Sequence, residues 1–401
     1  MPAHAPESPY AWQRLCVSVL LGTVGTVGLW SAIVALPAVQ AEFGVARGSA
    51  SLPYTATMIG AALGGVLMGR LADRVGIVLP IVVGALALGI GYAAASVTTS
   101  LWQFALVQGA VIGFLGSAAV FGPLIADISH WFTRNRGKAV SICASASYLA
   151  GTVWPPILEH AIAAYGWRAT HLGVGILCVT IMLPLSLALR PRAPVLHEAH
   201  APTSLRSALR VSPNLVQIML VIAGFSCCVA MSMPQVHIVA YCGDLGYGPA
   251  RGAEMLSLML GFGVVSRLIS GWISDRIGGV PTMLAGSALQ CLALVFYIPF
   301  DGLTSLYVVS ALFGLSQGGI VPSYAMIVRE YFPAQDVGGR FGTVLMATIF
   351  GMAAGGWMSG VVFDWTGSYQ AAFLNGILWN LLNASIAVWL LRQPRGRAVH
   401  A

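Results

Sequence analysis

Apolar residues occur along this chain in long uninterrupted runs, separated by short stretches rich in glycine, proline and charge. Each run has about twenty residues or more, enough for an α-helix to cross the roughly 30 Å hydrocarbon core of a bilayer. Strands of a membrane barrel would instead alternate over about ten residues. The pattern therefore predicts twelve membrane-spanning helices. Their predicted spans are 15–39, 50–70, 77–97, 101–127, 137–163, 169–190, 214–241, 251–273, 280–300, 303–329, 338–363 and 369–392.

Composition supports an integral membrane protein. Hydrophobic residues make up 57% of the 401 positions and charged residues only 8%, whereas soluble domains carry about a quarter charged residues. The first apolar run is too long for the core of a signal peptide, so we interpret it as a retained helix. The seven cysteines lie in or beside apolar runs without a Cys-x-x-Cys pair, which favours packing residues over disulfides or a metal site.

A polar segment at 191–213 divides the predicted helices into two sets of six. We therefore expect a Pro-rich, disordered cytosolic tail at 1–14, a first half at 15–190, a cytosolic linker at 191–213, a second half at 214–392 and a short tail at 393–401.

Basic residues give the orientation. If the N-terminus is cytosolic, sixteen of the 20 Lys and Arg residues fall on the inner side, three on the outer side and one, Arg267, within a helix. Because cytosolic loops are enriched in Lys and Arg, this predicts that both termini are cytosolic. It also accounts for the net charge of +7 without a nucleic-acid partner.

The two halves repeat a motif. Residues 69–76 read Gly-Arg-Leu-Ala-Asp-Arg-Val-Gly and residues 271–278 read Gly-Trp-Ile-Ser-Asp-Arg-Ile-Gly, 202 positions later. Each motif ends the second predicted helix of its half. Parallel six-helix repeats are typical of transporters that expose a central site alternately to the two sides of a membrane.

The first motif resembles the signature of the major facilitator superfamily, and the resemblance covers essentially the whole chain. It implies an all-α fold of two pseudo-symmetric six-helix halves. It also implies a gating role for one acidic and one basic residue in each motif, where the Asp accepts hydrogen bonds from arginines or a helix N-terminus. The alternative is that these charges only fix topology. The four residues are Asp73, Arg74, Asp275 and Arg276.

Within that superfamily, the chain is most similar to the monocarboxylate transporters and their bacterial relatives. Residues 131–139 resemble one of their signatures, and Arg267 precedes a glycine by four positions and a polar residue by eight, as a substrate-linked Arg does in that family. The chain departs from the family at Gly263, where an acidic residue is expected, and at Ala38, where a lysine is expected. The resemblance implies an anion anchor without the animal-type proton relay.

Arg267 stands out from the residues alone, because it is the one basic residue away from a helix end. An Arg at a helix centre costs about 2.5–3.5 kcal/mol to insert and normally faces a polar cavity. Its planar fork suits a carboxylate. Two alternatives are a side chain that reaches the membrane surface and a structural partner for a carboxylate at a helix end.

Other hydrogen-bonding groups near predicted helix midpoints or, like Tyr324, further out are candidate substrate contacts, although each is more plausibly a packing or interhelical group. His237 is the candidate for proton coupling, since an unperturbed pKa of about 6.5 suits proton exchange; a helix-end histidine with its bonds satisfied is the alternative. By the superfamily resemblance, polar residues on predicted helices 9 and 12, such as Gln290 and Asn383, are discounted. The candidate contacts are Trp30, Ser117, Tyr148, Gln317 and Tyr324.

These observations predict a secondary transporter for a small organic anion, such as the monocarboxylate lactate, with or without a coupled proton. The alternative is a carrier for another metabolite or for efflux of a lipophilic compound. The sequence contains no His-Glu-x-x-His, Gly-x-Ser-x-Gly or phosphate-binding glycine motif, so we expect neither an enzyme nor a cofactor or metal. We expect a monomer in a bacterial inner membrane.

Overall fold

The computed structural model describes residues 7–191, 212–333 and 336–393, and every regular element within these ranges is helical. Most of the predicted linker, including Arg192, Arg206 and Arg210, lies outside the described residues, as do the first six residues and nearly all of the C-terminal tail. The helices are α1 (Pro9–Gly25), α2 (Val27–Val34), α3 (Leu36–Phe43), α4 (Arg47–Ala50), α5 (Leu52–Val75), α6 (Val78–Ser96), α7 (Leu101–Val107), α8 (Gly122–Trp131), α9 (Arg136–Ala144), α10 (Ala146–Leu187), α11 (Pro213–Asp244), α12 (Pro249–Ile277), α13 (Gly279–Phe296), α14 (Leu303–Gln317), α15 (Ile320–Tyr331), α16 (Val337–Thr366) and α17 (Tyr369–Arg392).

Eleven continuous helical stretches within the described ranges are long and apolar enough to cross a membrane. One of them, Arg136–Leu187, has 52 residues, far more than the roughly 20 that one crossing needs. Gly166 interrupts it with φ 77° and ψ 159°, a backbone conformation that glycine adopts without steric cost. The long stretch therefore accommodates the fifth and sixth predicted spans, and the eleven stretches accommodate all twelve.

The first helix starts earlier than predicted. It begins at Pro9, and the side chain of Ser8 accepts a hydrogen bond from the backbone N–H of Ala11. Ser at the N-cap and Pro at the first position of a helix form a favourable start. Ser8 and Pro9 precede the apolar run. Because hydropathy detects only that run, it predicted a start at residue 15 instead of residue 9.

The fourth predicted span is not a regular α-helix. After α7 the backbone runs as a π-helix over Gln108–Gly116 and a short 3-10 turn over Ser117–Ala119 before α8 begins. Glycines let α5 lie directly on this segment: a Cβ added to Gly60 would lie 2.1 Å from the carbonyl oxygen of Gly109. Small residues at such contacts are what allow helices to approach closely in membranes.

The tenth predicted span is interrupted as well. Helix α14 ends at Gln317, Gly318 and Gly319 form a turn, and α15 begins at Ile320 with Pro322 in its first turn. The 202-residue offset that aligns the two motifs pairs Gly318 with Gly116, the last residue of the π-helix. The repeat therefore extends to the place where each half breaks a helix.

The chain forms two compact units. Unit 1 comprises Met1–Leu196 and Val236–Gly261, and unit 2 comprises His197–Gln235 and Phe262–Ala401. These units differ from the predicted halves, because the end of α11 and the start of α12 group with unit 1. Pro234, inside α11, lies two residues before one of these boundaries.

Candidate functional site

The candidate site in unit 2 is built around Arg267, which lies on α12 and is partly buried. Its Nε lies 3.5 Å from the carbonyl oxygen of Gly318, at the turn between α14 and α15. The contact is possible because α12 touches that turn backbone to backbone: a Cβ added to Gly318 would lie 2.3 Å from the carbonyl oxygen of Gly263. Gly318 is therefore needed for this close packing, and Gly263, where the family resemblance led us to expect an acidic residue, contributes a backbone oxygen to the contact.

Gln317 lies beside this turn as the last residue of α14, and it is fully buried. Its Oε1 accepts a hydrogen bond of 2.6 Å from Nε2 of Gln235 on α11. Its own Nε2 has no hydrogen-bond partner among the described residues. The structure thus brings two of the predicted substrate contacts, Arg267 and Gln317, to the same helix break.

Tyr324 occupies a different environment. Its hydroxyl donates a hydrogen bond of 2.9 Å to Oδ1 of Asn383 on α17. Asn383 in turn donates from Nδ2 to Oγ of Ser287 on α13, at 2.6 Å. We refer to these three side chains as the Tyr324 network. Asn383, which was discounted as a substrate contact, links three helices here.

In unit 1, Ser117 lies at the helix interruption and donates its hydroxyl to the carbonyl oxygen of Gly25, at 3.1 Å. The ring of Trp30 packs on Gly151, where an added Cβ would lie 2.6 Å from the ring and 2.1 Å from Leu260. Nε1 of Trp30 has no partner among the described residues. Tyr148 is buried in the same unit, so these three predicted contacts belong to unit 1.

The candidate proton carrier, His237, is fully buried on α11, in the part of that helix that belongs to unit 1. The described residues show no group of three His, Cys, Asp or Glu side chains that could hold a metal ion.

The four motif residues lie at helix ends, and their side chains are exposed. The glycine that closes each motif adopts the same backbone, with φ 90° at Gly76 and 87° at Gly278. The guanidinium of Arg276 stacks on Trp272, 3.4 Å from the ring centroid. Their gating role remains a prediction.

The carboxylate at the helix N-terminus after the second motif is Glu330 and not Asp275. Its Oε1 accepts a 2.9 Å hydrogen bond from the backbone N–H of Gly279, at the start of α13. An anion is favourable at this place because a helix N-terminus carries unpaired N–H groups and a partial positive charge. Glu330 lies 52 positions beyond Gly278, so no local pattern could have paired them.

Sequence reasoning also missed a buried ion pair in unit 1. Nε and Nη2 of Arg14 each donate to the Asp127 carboxylate at 2.8 Å, and Nη1 donates to the carbonyl oxygens of Leu189 and Pro191. The guanidinium also lies 4.7 Å from the ring centroid of Trp131. Arg14 had been counted only for orientation. A carboxylate at the end of the fourth predicted span was the available signal, but it did not identify its partner.

A second pair links α4 to the end of α11. Nη1 and Nη2 of Arg47 each donate to the Asp244 carboxylate at 3.0 Å. Nearby in sequence, the hydroxyl of Ser257 on α12 donates to the carbonyl oxygen of Thr152 on α10. All four residues belong to unit 1.

A third pair joins Arg168 on α10 to Glu42 on α3, with Nη2 2.6 Å from Oε1. Trp167 also donates its indole N–H to the same carboxylate. The hydrogen bond from Arg168, and then that from Trp167, hold the pKa of the Glu42 carboxyl below its ordinary value of 4.5.

Known proteins resemble this chain throughout its length. The model of the Major Facilitator Superfamily matches residues 19–305 and 255–400. Monocarboxylate transporter 13 of Bos taurus is 27% identical over 352 residues, covering 85% of this chain and 79% of that protein. The agnestins efflux protein AgnL12 of Paecilomyces divaricatus is 23% identical over 343 residues, covering 84% and 76%.

Among solved structures, a mutant form of the nucleoside transporter NupG superposes with a TM-score of 0.76 at 14% identity, covering 94% of this chain and 100% of that one. At this identity the likeness shows the fold alone. The two-half, all-helical fold predicted from the sequence is confirmed, and so is the expectation of a transporter instead of an enzyme. This chain belongs to the Major Facilitator Superfamily of membrane transporters.

Proposed function

We propose that this transporter carries a small organic anion, a monocarboxylate such as lactate, by alternating access, with or without a coupled proton. The observation that carries the proposal is Arg267, a permanently charged fork on a membrane-spanning helix, in contact with the carbonyl oxygen of a helix break. An Arg inside a membrane-spanning helix, away from its ends, normally faces a polar cavity or a substrate path. The name of monocarboxylate transporter 13 supports the same substrate class.

The remaining candidate contacts are proposed with unequal support. Gln317 has an amide N–H to offer, and Trp30 has an indole N–H to offer in unit 1. Ser117 and Tyr324 already donate to protein acceptors, so each would contact substrate through its remaining lone pairs. Tyr148 is a buried ring in unit 1. His237 stays the candidate proton carrier.

The test uses proteoliposomes that contain the purified full-length chain, with counterflow of radiolabelled L-lactate as the measurement, because counterflow does not depend on the physiological direction. Arg267→Ala and Arg267→Lys are expected to abolish counterflow, since Lys keeps the charge but loses the planar fork. Arg251→Ala on the same helix is the matched control, because Arg251 is exposed and forms an exposed ion pair with its neighbour Glu254. Normal lactate counterflow by both Arg267 variants would sink the proposal.

The second candidate function is efflux of a lipophilic compound, which the name of AgnL12 favours. Under this function, lactate and other small carboxylates neither compete for transport nor raise the thermal stability of the purified protein. A thermal-shift screen of small carboxylates on the native chain and on Arg267→Ala separates the two, because ligand binding raises the unfolding temperature by mass action.

The arginine asymmetry supports cytosolic termini, and the dominance of Arg over Lys supports a bacterial inner membrane. The four motif residues, Asp73, Arg74, Asp275 and Arg276, are proposed to control opening toward the cytosol. We propose a monomer as the transporting species.

A further inference from the structure

The helix break at Gly318 and Gly319 carries chemistry that the anion proposal does not use. A break inside a membrane-spanning helix exposes backbone groups that must find partners, and in transporters such breaks are where substrates and ions bind. Here the carbonyl oxygen of Gly318 faces Nε of Arg267. The oxygen is thereby partly satisfied, and the cation is held at the break.

The residue immediately before the break is Gln317, which is fully buried. Consecutive Cα atoms are about 3.8 Å apart, so the Gln317 amide and the contact of Arg267 with Gly318 are anchored on neighbouring residues. Gln235 fixes the amide by donating to its oxygen at 2.6 Å. This leaves the Gln317 Nε2 as a donor without an acceptor among the described residues.

A buried donor without an acceptor is unfavourable, and such groups call for an explanation. The repeat offers an internal comparison: the position 202 residues earlier is Leu115, which packs against Met68 and Ala118. The first half therefore forms its interruption with an apolar residue at this position. The amide in the second half is not required by the backbone break itself.

We propose that Gln317 is a specificity-determining residue that donates its amide N–H to a second oxygen of the substrate, close to the carboxylate held by Arg267. Gln235 is then a positioning residue, since it orients the amide without contacting substrate. The inference rests on the proposed function and narrows it to short carboxylic acids with a hydroxyl or oxo oxygen on carbon 2. A plain short acid of the same length lacks an acceptor for this donor.

The test compares L-lactate with propionate, which has the same carbon chain without the second oxygen. Both are measured by radiolabelled counterflow in proteoliposomes, and the result is the ratio of their kcat/KM values, which does not depend on the amount of active carrier. The native chain is expected to favour lactate. One hydrogen bond corresponds to a change of about 3- to 10-fold, so Gln317→Leu is expected to lower the ratio by that factor, with propionate transport retained.

Gln317→Met keeps the length of the side chain and is expected to lower the lactate-to-propionate ratio by the same factor. It replaces Gln317→Leu if that variant does not insert into the membrane. Gln235→Leu is expected to lower the ratio less, mainly through a raised KM for lactate. Gln290→Leu is the matched control, because Gln290 is a fully buried amide of the same unit without a hydrogen-bond partner among the described residues. Its ratio is expected to equal that of the native chain.

Five outcomes would overturn the inference. If the native chain has a lactate-to-propionate ratio near one, Gln317 does not determine specificity. The same follows if the Gln317 variants keep the native ratio, and in both cases the proposal of carboxylate transport is unaffected. An equal loss of both substrates in Gln317→Leu and Gln317→Met shows that the glutamine pair only ties α11 to α14. A native chain that carries neither acid removes the proposed function and this inference together, and undiminished counterflow by Arg267→Ala does the same.

Discussion

Unit 1 and unit 2 each contain one copy of the motif and one helix interruption, but different contacts hold their helices together. Unit 1 ties the ends of its helices with ion pairs, such as Arg14 with Asp127 and Arg47 with Asp244. In unit 2, uncharged side chains link helices in the Tyr324 network, and the Glu330 carboxylate binds a helix N-terminus without an arginine partner in that contact. The Arg340–Asp336 pair of unit 2 is longer, at 3.7 Å.

The difference separates an arginine whose charge serves the fold from one for which we propose a role in binding. The Arg14 guanidinium is bound to a carboxylate, two carbonyl oxygens and an aromatic ring, so its charge serves the fold. Arg267 lies instead beside a helix interruption, where its Nε contacts the carbonyl oxygen of Gly318, the residue that follows the buried Gln317. Three experiments test this difference between the two units.

The largest expected effect is the loss of the buried pair in unit 1. Arg14→Ala leaves the Asp127 carboxylate, whose side chain is only 12% exposed, without its compensating charge. Removing one partner of such a pair costs about 3–5 kcal/mol. We expect Arg14→Ala and Asp127→Ala to unfold at clearly lower temperature in detergent, and the double variant to lose less than the sum of the two.

Arg251→Ala is the matched control, because its pair with Glu254 is exposed and worth about 0–1 kcal/mol. If Arg14→Ala unfolds at the temperature of Arg251→Ala, the idea that ion pairs stabilise unit 1 is wrong.

A middle effect is expected from the Tyr324 network. Asn383→Leu removes two hydrogen bonds: the one that Asn383 accepts from the Tyr324 hydroxyl and the one that it donates to Ser287. Interhelical hydrogen bonds in membrane proteins contribute about 0.6 kcal/mol on average and up to about 1.7 kcal/mol, so two such bonds predict a loss of about 1–2 kcal/mol. The readout is thermal unfolding of the purified variant, compared with Gln290→Leu, which loses no hydrogen bond to a described residue. Equal stability of the two variants would contradict a structural role for the network.

The smallest effect is a pH dependence in unit 1. Because the pKa of Glu42 is lowered in the folded chain, its carboxylate stabilises the fold above its ordinary pKa of 4.5, and this contribution is lost as the pH falls through the lowered value. The Glu42 side chain is 41% exposed, so solvent weakens the effect.

The difference in unfolding temperature between the native chain and Glu42→Gln should therefore be present at pH 7 and shrink in acid. The same comparison in an Arg168→Gln background should lose most of that pH dependence. A difference that stays constant from pH 7 to pH 4 would show that the pair does not contribute through charge.

Much of this molecule could be predicted from the sequence, because a bilayer imposes a long apolar signal and the halves repeat a motif. The lengths of the apolar runs predicted the membrane-spanning helices. The offset of 202 residues between the two motifs predicted the two-half fold. Arg267 was found because a lone intramembrane cation is costly and therefore conspicuous. Gln317 was one of several polar candidates, and nothing in the sequence ranked it above Tyr324.

The missed features depend on side chains that are distant in sequence. Arg14 meets Asp127 across 113 positions, and Glu330 meets the start of α13 across 51, so neither pair leaves a local pattern. The helix breaks were hidden for a different reason. Glycines in an apolar run are equally compatible with close helix packing, as at Gly60, and with an interruption, as at Gly318.

The grouping of residues 236–261 with unit 1 affects how the chain could be divided into fragments for co-expression. A cut in the linker gives a first fragment that lacks the Asp244 carboxylate bound by Arg47 and the Leu260 side chain that packs against Gly151. A first fragment that continues through Gly261 keeps both contacts within one polypeptide. For co-expression, a boundary after Gly261 therefore keeps together two contacts that a boundary in the polar segment would separate.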